Sequence, residues 1–219
     1  MKKQFAFLPV LFLMAVLAAG MGKSNVYAKQ AENLSESQIQ ISRGSVKLEE
    51  SVFAYTGKAQ KAKVTVTCQK RQLKNNIDYK VAYKNNKNIG IATVTVTGIG
   101  SYQGKVQKSF RIVPAAPTVL NAFDNEKGIK LNWVKDTRVD GYKIYRKEKG
   151  GEWKRIKTVK KSSKTSFWDT SAAGNGKTYC YRVRAYKKVE TKTFYSDYSE
   201  SISRQIRSDR NYLITSVLP

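Results

Sequence analysis

Histidine is absent from the 219 residues, and cysteine occurs twice. Without histidine there is no Ser-His-Asp triad, no Cys-His pair, no imidazole general base and no histidine-ligated zinc. Two cysteines build neither a zinc site nor a disulfide framework. Acidic residues are scarce as well: 16 Asp and Glu stand against 41 Lys and Arg, a formal net charge of +25. Proline is limited to four residues, and no long apolar run follows residue 28. No Gly-x-x-x-x-Gly-Lys-Ser/Thr loop occurs, and Gly98 to Gly104 lacks the Gly-x-Gly-x-x-Gly spacing of a dinucleotide site. These absences argue against the familiar enzyme classes, and no catalytic residue, cofactor or metal ligand is expected. The acidic pairs Glu49-Glu50 and Asp136 with Asp140 read as solvated loop residues. Asp124-Asn125-Glu126 lacks the twelve-residue frame of a calcium loop.

What is present is a foldable chain. Hydrophobic residues make up 41%, with 13 Tyr, 8 Phe and 3 Trp, too apolar and aromatic for disorder. The length suits one large domain or two small ones.

Residues 1–28 read as a secretory signal peptide. Lys2 and Lys3 precede an apolar run from Phe5 to Ala19, and Val26-Tyr27-Ala28 offers a small-x-small cleavage site. The alternative is an uncleaved anchor, but the run is short of the roughly 20 apolar residues a span requires. No transmembrane segment is expected in the mature chain, which should be secreted and either extracellular or envelope-associated. An exported chain invites a bridge between Cys68 and Cys180. The other reading, two buried small residues in strands, is preferred.

Residues 29–44 are polar and read as a linker. The pattern then becomes period-two. Val64, Val66 and Cys68 share one face, Tyr79 to Tyr83 alternate, Ala92 to Thr97 follow, and Val106 to Val113 close the block. Asn75-Asn76, Asn85-Asn86 and Gly98-Ile99-Gly100 supply turn chemistry between them. Pro114-Ala115-Ala116-Pro117 is a stiff break. In the second block Ile129, Leu131 and Trp133 alternate, Tyr142 and Ile144 share a face, and Trp153, Ile156, Val159 and Phe167 mark further strands. Tyr179, Tyr181, Val183 and Ala185 face in while Arg182 and Arg184 face out; a last strand is expected around Tyr195 to Ile202. About seven short strands over about 90 residues argue for a β-sandwich.

Leu131-x-Trp133, Gly141-Tyr142-x-Ile144-Tyr145-Arg146 and Thr178-Tyr179-x-Tyr181-x-Val183-x-Ala185 make residues 114–203 resemble a fibronectin type III domain of bacterial secreted or surface proteins. The resemblance implies a core role for Trp133 and a tyrosine-corner role for Tyr179, its hydroxyl bonded to nearby backbone. Ala172-Ala173 departs from it, where the family carries a Leu. Tyr55-Thr56-Gly57-Lys58, Asp78-Tyr79, Tyr83-x-Asn85-Asn86 and Gly98-x-Gly100-x-Tyr102-x-Gly104 make residues 45–113 resemble the immunoglobulin-like repeat of Gram-positive surface proteins. The expected architecture is all-β: two tandem β-sandwiches, with 204–219 as a basic C-terminal tail.

The charge is spread evenly. Residues 29–113 hold 15 basic and 5 acidic residues, and 114–203 hold 20 and 10. Such a surface favours polyanions. Export disfavours nucleic acid and points to anionic cell-wall polymer or acidic polysaccharide. A protein partner for a spacer is the alternative, and Lys-rich edges that prevent aggregation are a third account. Strand parity sharpens the idea. Lys143, Tyr145 and Lys147 on one strand and Arg182, Arg184 and Tyr186 on its neighbour should share an outward face, with Trp133, Tyr142, Tyr179 and Tyr181 inside. That face is either a polyanion or polysaccharide patch, or ordinary cross-strand packing of Tyr beside Lys and Arg stems.

Overall fold

The computed structural model describes residues 38–208. The expected signal segment lies outside them, as do 29–37 of the linker and 209–219 of the tail. Among the described residues, no helix is long and apolar enough to cross a membrane.

The first block forms β1 (Ile39–Gln40), a 3-10 turn (Ile41–Arg43), β2 (Ser45–Leu48), β3 (Val52–Ala54), β4 (Val64–Cys68), β5 (Arg71–Gln72), β6 (Tyr79–Lys84), β7 (Gly90–Gly98), β8 (Tyr102–Gln103) and β9 (Lys105–Val113). One sheet runs β2-β4-β5, and the other runs β3-β9-β7-β6. β7 buries Ala92, Val94 and Val96 and turns the intervening threonines outward. That is the alternation the sequence shows, with β-branched residues on a half-buried ladder. Asn76 and Asn85 take φ of 64° and 57°, as turn asparagines tolerate. Two apolar clusters fill the space between the sheets, one around Ile41, Val66 and Val96 and one around Phe110 and Ile112.

The linker therefore ends earlier than residue 44. Ile39 pairs with Tyr102 in a parallel ladder, and Ile41 is fully buried. A polar neighbourhood hid two isoleucines that the module needs for its core.

The second block forms β10 (Val119–Asn125), β11 (Gly128–Trp133), β12 (Gly141–Glu148), β13 (Lys154–Val159), β14 (Ser166–Asp169), β15 (Thr178–Val189), β16 (Lys192–Tyr195) and β17 (Ile202–Gln205). One sheet is β10-β11-β14. The other is β13-β12-β15-β16, with β17 also on β15. Ile129, Leu131 and Trp133 from the first face Tyr142, Ile144, Tyr181 and Val183 from the second, all at most 2% exposed. This is a two-layer sandwich. Each such side chain contributes about 1.5–3 kcal/mol by leaving water. Gly141 is fixed by space: a Cβ there would stand 2.0 Å from the Val159 carbonyl oxygen.

Tyr195 to Ile202 is not one strand. β16 stops at Tyr195, residues 196–201 run outside any ladder, and β17 starts at Ile202. The boundary at 203 also falls inside β17. Arg204 opposes Tyr179, and Ile206 is 1% exposed in the core. Residues 204–208 belong to the sandwich because Arg204 and Arg207 both bond the Asp124 carboxylate on β10. Ala172, at the departure from the family pattern, is fully buried in a 3-10 turn.

Cys68 and Cys180 are both free. Cys68 is buried in β4, whereas Cys180 is only half-buried, because its place on β15 alternates with the core residues.

Candidate functional site

β12 and β15 run antiparallel with Lys143 opposite Arg184 and Tyr145 opposite Arg182. Tyr179, Tyr181, Val183 and Ala185 are buried while Arg182, Arg184 and Tyr186 are half-buried on the other face. The structure thus brings Lys143, Tyr145, Lys147, Arg182, Arg184 and Tyr186 onto one side of one sheet.

These side chains are stacked rather than spread into solvent. The Arg182 guanidinium carbon is 3.6 Å from the Tyr198 ring centre and 4.2 Å from that of Trp153. Arg184 lies 4.6 Å from Tyr195 and 4.8 Å from Tyr198. Lys143 sits 4.2 Å over Tyr195 and donates a 2.7 Å hydrogen bond to its hydroxyl. Lys147 lies 5.3 Å over Trp153. Tyr145 meets Tyr198 edge to face at 5.1 Å, and Tyr186 is tilted against Tyr195 at 6.4 Å. The result is a ladder in which cations and rings alternate.

Among the described residues, none of Lys143, Lys147, Arg182 and Arg184 is ion-paired with a carboxylate. The rings bind the cations instead, through the negative faces of their π-systems. The Nε atoms of Arg182 and Arg184 are buried without an acceptor. The concentrated charge shows in Tyr198. Burial pushes its hydroxyl up, but hydrogen bonding with Tyr145 and Arg184 and the charges of Arg184 and Arg182 outweigh this and hold it below the ordinary tyrosine value. Tyr145 is pushed up, first by burial and then by Tyr198.

A third of the ladder comes from residues that strand parity does not reach: Trp153, Tyr195 and Tyr198. Their signal is the repeat Tyr195-Ser196-Asp197-Tyr198-Ser199, with period three rather than two. A chain with three residues per turn places both tyrosines on one side and both serines on another. The serines clamp β15. Ser196 N–H donates to the Ala185 carbonyl at 3.0 Å, and Ala185 N–H donates to Ser196 Oγ at 2.9 Å. Ser199 does the same with Val183, at 2.8 Å and 2.9 Å. Serine hydroxyls replace the missing ladder bonds and hold the two rings over the arginines.

The other face carries a buried polar network. The Tyr181 hydroxyl donates to Asp169 Oδ2 at 2.8 Å, as does Arg146 Nη1 at 2.8 Å, and the Ser171 hydroxyl donates to Asp169 Oδ1 at 2.7 Å. Trp133 and Tyr142 pack edge to face at 5.3 Å in the core. The tyrosine-corner expectation is corrected. The Tyr179 hydroxyl accepts from the Asn175 side-chain amide at 2.9 Å, with no backbone bond among the described residues. In this module Tyr142 is bonded to backbone: it accepts from Asp136 N–H at 2.9 Å and donates to the Ser162 carbonyl at 3.3 Å. Asn175 lies close enough to Tyr179 in the chain to take the hydroxyl first.

No family model matches the chain, and no curated protein matches it. Solved structures with a similar backbone include a β-1,2-glucanase from Parabacteroides distasonis, with 19% identity and a TM-score of 0.37, covering 53% of this chain and 18% of that one. The chicken CNTN1 FN1-FN3 domains give 15% identity and a TM-score of 0.37, covering 78% and 68%. Three N-terminal domains of the bacteriophage RB49 highly immunogenic outer capsid protein give 16% and 0.32, covering 76% and 70%. This chain thus spans less than a fifth of the glucanase. The all-β assignment itself rests on the strand pairing and the buried cores: two β-sandwich modules in tandem.

Proposed function

We propose that this is an exported, non-catalytic cell-envelope protein whose two modules adhere to, or space components at, the surface. Its hold is electrostatic, on anionic wall polymer or acidic polysaccharide. The observation that carries this reading is the ladder face. Its four cations lie over rings and not over carboxylates, so their charge is uncompensated within the protein and fixed in position. Stacking covers the flat faces of a guanidinium but leaves in-plane N–H donors for phosphate or carboxylate. β13 adds the exposed Arg155, which stands opposite Tyr145. The net charge of +25 attracts the protein to polyanions, and export by the signal-like N-terminus would bring it to the cell envelope.

The test is a pull-down of the full chain on purified Gram-positive walls, with and without teichoic acid, at low and high salt. Retention that fades with salt is expected, because exposed charges are screened within about 10 Å at 0.1 M. No retention at low salt overturns the reading.

A second reading has its own support. The ladder rings pack on one another as well as on the cations, which is how a brace is built. A spacer that meets a protein partner would use the same rigidity, with no salt-sensitive binding to polyanion.

A further inference from the structure

The two modules touch, and a groove opens where they meet. The Arg138 guanidinium of the second module lies 4.9 Å from the Tyr55 ring of the first. Phe194, outside the second module's core cluster, is 6% exposed and shares a cleft wall with Ile91. Beside this junction lies a groove of about 370 Å3. Arg111 of β9 enters it from the first module, and Arg184, Tyr195 and Asp197 enter from the second. Val52 and Val113 give it an apolar wall.

We propose that this groove is a binding subsite for an acidic sugar residue, a uronate or a sugar phosphate, within an anionic polysaccharide. The inference rests on the polyanion reading above and narrows it to one place and one chemistry. Arg184 and Arg111 face one space from different modules, and among the described residues neither is ion-paired with a carboxylate. Two like charges sharing a groove repel, and an anion between them removes that cost. Arg184 is held by Tyr195 and Tyr198, and its buried Nε has no acceptor. Its geometry is therefore set before any ligand arrives.

Asp197 separates a sugar from a bare anion. A carboxylate in an anion site opposes phosphate, but it accepts hydrogen bonds from sugar hydroxyls. Val52, 41% exposed, and the exposed Ala54 offer an apolar surface to the C–H face of a pyranose. One acid group, several hydroxyls and an apolar ring face together describe an acidic sugar.

The experiment is calorimetric titration of the full chain with oligogalacturonate, with inorganic polyphosphate and polyglycerol phosphate as further probes. Arg111→Gln and Asp197→Asn change exposed residues outside the ladder. Each is expected to weaken oligogalacturonate binding about tenfold, the scale of one charge-assisted hydrogen bond. Asp197→Asn should leave polyphosphate binding unchanged or raise it. The double variant Arg155→Gln, Lys157→Gln, away from the groove, should weaken all probes slightly and alike. Wild-type affinity for oligogalacturonate in both groove variants overturns the subsite and leaves the diffuse polyanion reading standing. Binding of polyglycerol phosphate alone, weakened by Arg111→Gln but not by Asp197→Asn, overturns the sugar. Binding of no probe at low salt overturns the subsite together with the reading beneath it.

Discussion

The guanidinium of Arg182 and the ring of Tyr198 lie 3.6 Å apart, the tightest rung of the ladder. Tyr198 also touches Arg184 and Tyr145, so three rungs end on one ring. It stands in a segment with no strand ladder of its own. The rings therefore add to the serine bonds that hold residues 196–201 against β15.

Tyr198→Ala should be costly for a half-exposed tyrosine. Each cation–ring contact is worth about 0.5–2 kcal/mol and the ring pair about 0.5–1.5 kcal/mol, so a loss of about 2–4 kcal/mol is expected. Arg182→Lys should cost less than Tyr198→Ala but still be measurable, since an ammonium does not stack flat. Urea denaturation reads both. A loss under about 0.5 kcal/mol for Tyr198→Ala would mean that the ladder is incidental to stability.

The serine clamp makes a separate demand. Ser199→Ala leaves the Val183 N–H buried without its acceptor, and Ser196→Ala does so for Ala185. Each should cost about 1–3 kcal/mol, the penalty of an unsatisfied buried donor. Amide exchange at Val183 and Ala185 is the direct measurement. Each serine substitution should speed exchange at its own partner first. Unchanged protection at both amides would show that water or another group takes the place of the hydroxyl.

How much of this was legible follows from the periods involved. Alternation along β7, β11, β12 and β15 gave the inward and outward residues correctly, because a sheet enforces period two. Lys143, Tyr145, Arg182 and Arg184 were legible for the same reason. Tyr195 and Tyr198 were not, since a spacing of three is out of step with a strand and a single such pair is too little to mark a helix. Arg111 was also hidden, because its role depends on how the modules meet, which no local pattern records. Ile39, Ile41 and Ile206 were missed as core because single apolar residues in polar stretches carry no period. Asn175 took the Tyr179 hydroxyl through a side-chain contact that no spacing announces.

Alkaline pH should unfold the second module through Tyr181. Burial and the neighbouring Asp169 carboxylate push its hydroxyl far above the ordinary tyrosine value. The native state keeps the proton while the unfolded chain releases it near pH 10. The unfolded state then binds fewer protons, so stability is fully present below about pH 10 and falls as pH rises beyond it. The slope for one such group is about 1.4 kcal/mol per pH unit. Tyr181→Phe should be less stable at pH 7, having lost the bond to Asp169. Its stability should decline more gently above pH 10 than that of the wild type. Parallel curves for the two proteins would assign the alkaline loss to other tyrosines.

Acid should loosen the seam between the two sheets of the second module. The Asp124 side chain on β10 is 2% exposed and accepts from Arg204 Nε at 2.8 Å and from Arg207 N–H at 3.4 Å. Burial pushes this carboxyl up, but the bond and charge of Arg204 outweigh it and hold the group below the usual carboxylate range. Its contribution is therefore present above the unfolded value near pH 4 and is lost as pH falls through the depressed one. Asp124→Asn keeps the shape and removes the charge. It should cost about 1–3 kcal/mol at pH 7, discounted because Arg204 and Arg207 are half-exposed. The variant's stability should also flatten below pH 4 relative to the wild type. The local signature is Ile206, now 1% exposed, which should become accessible as β17 loosens. Proteolysis or amide exchange around Ile202–Gln205 that matches the wild type would show that β17 is held by its ladder with β15 alone.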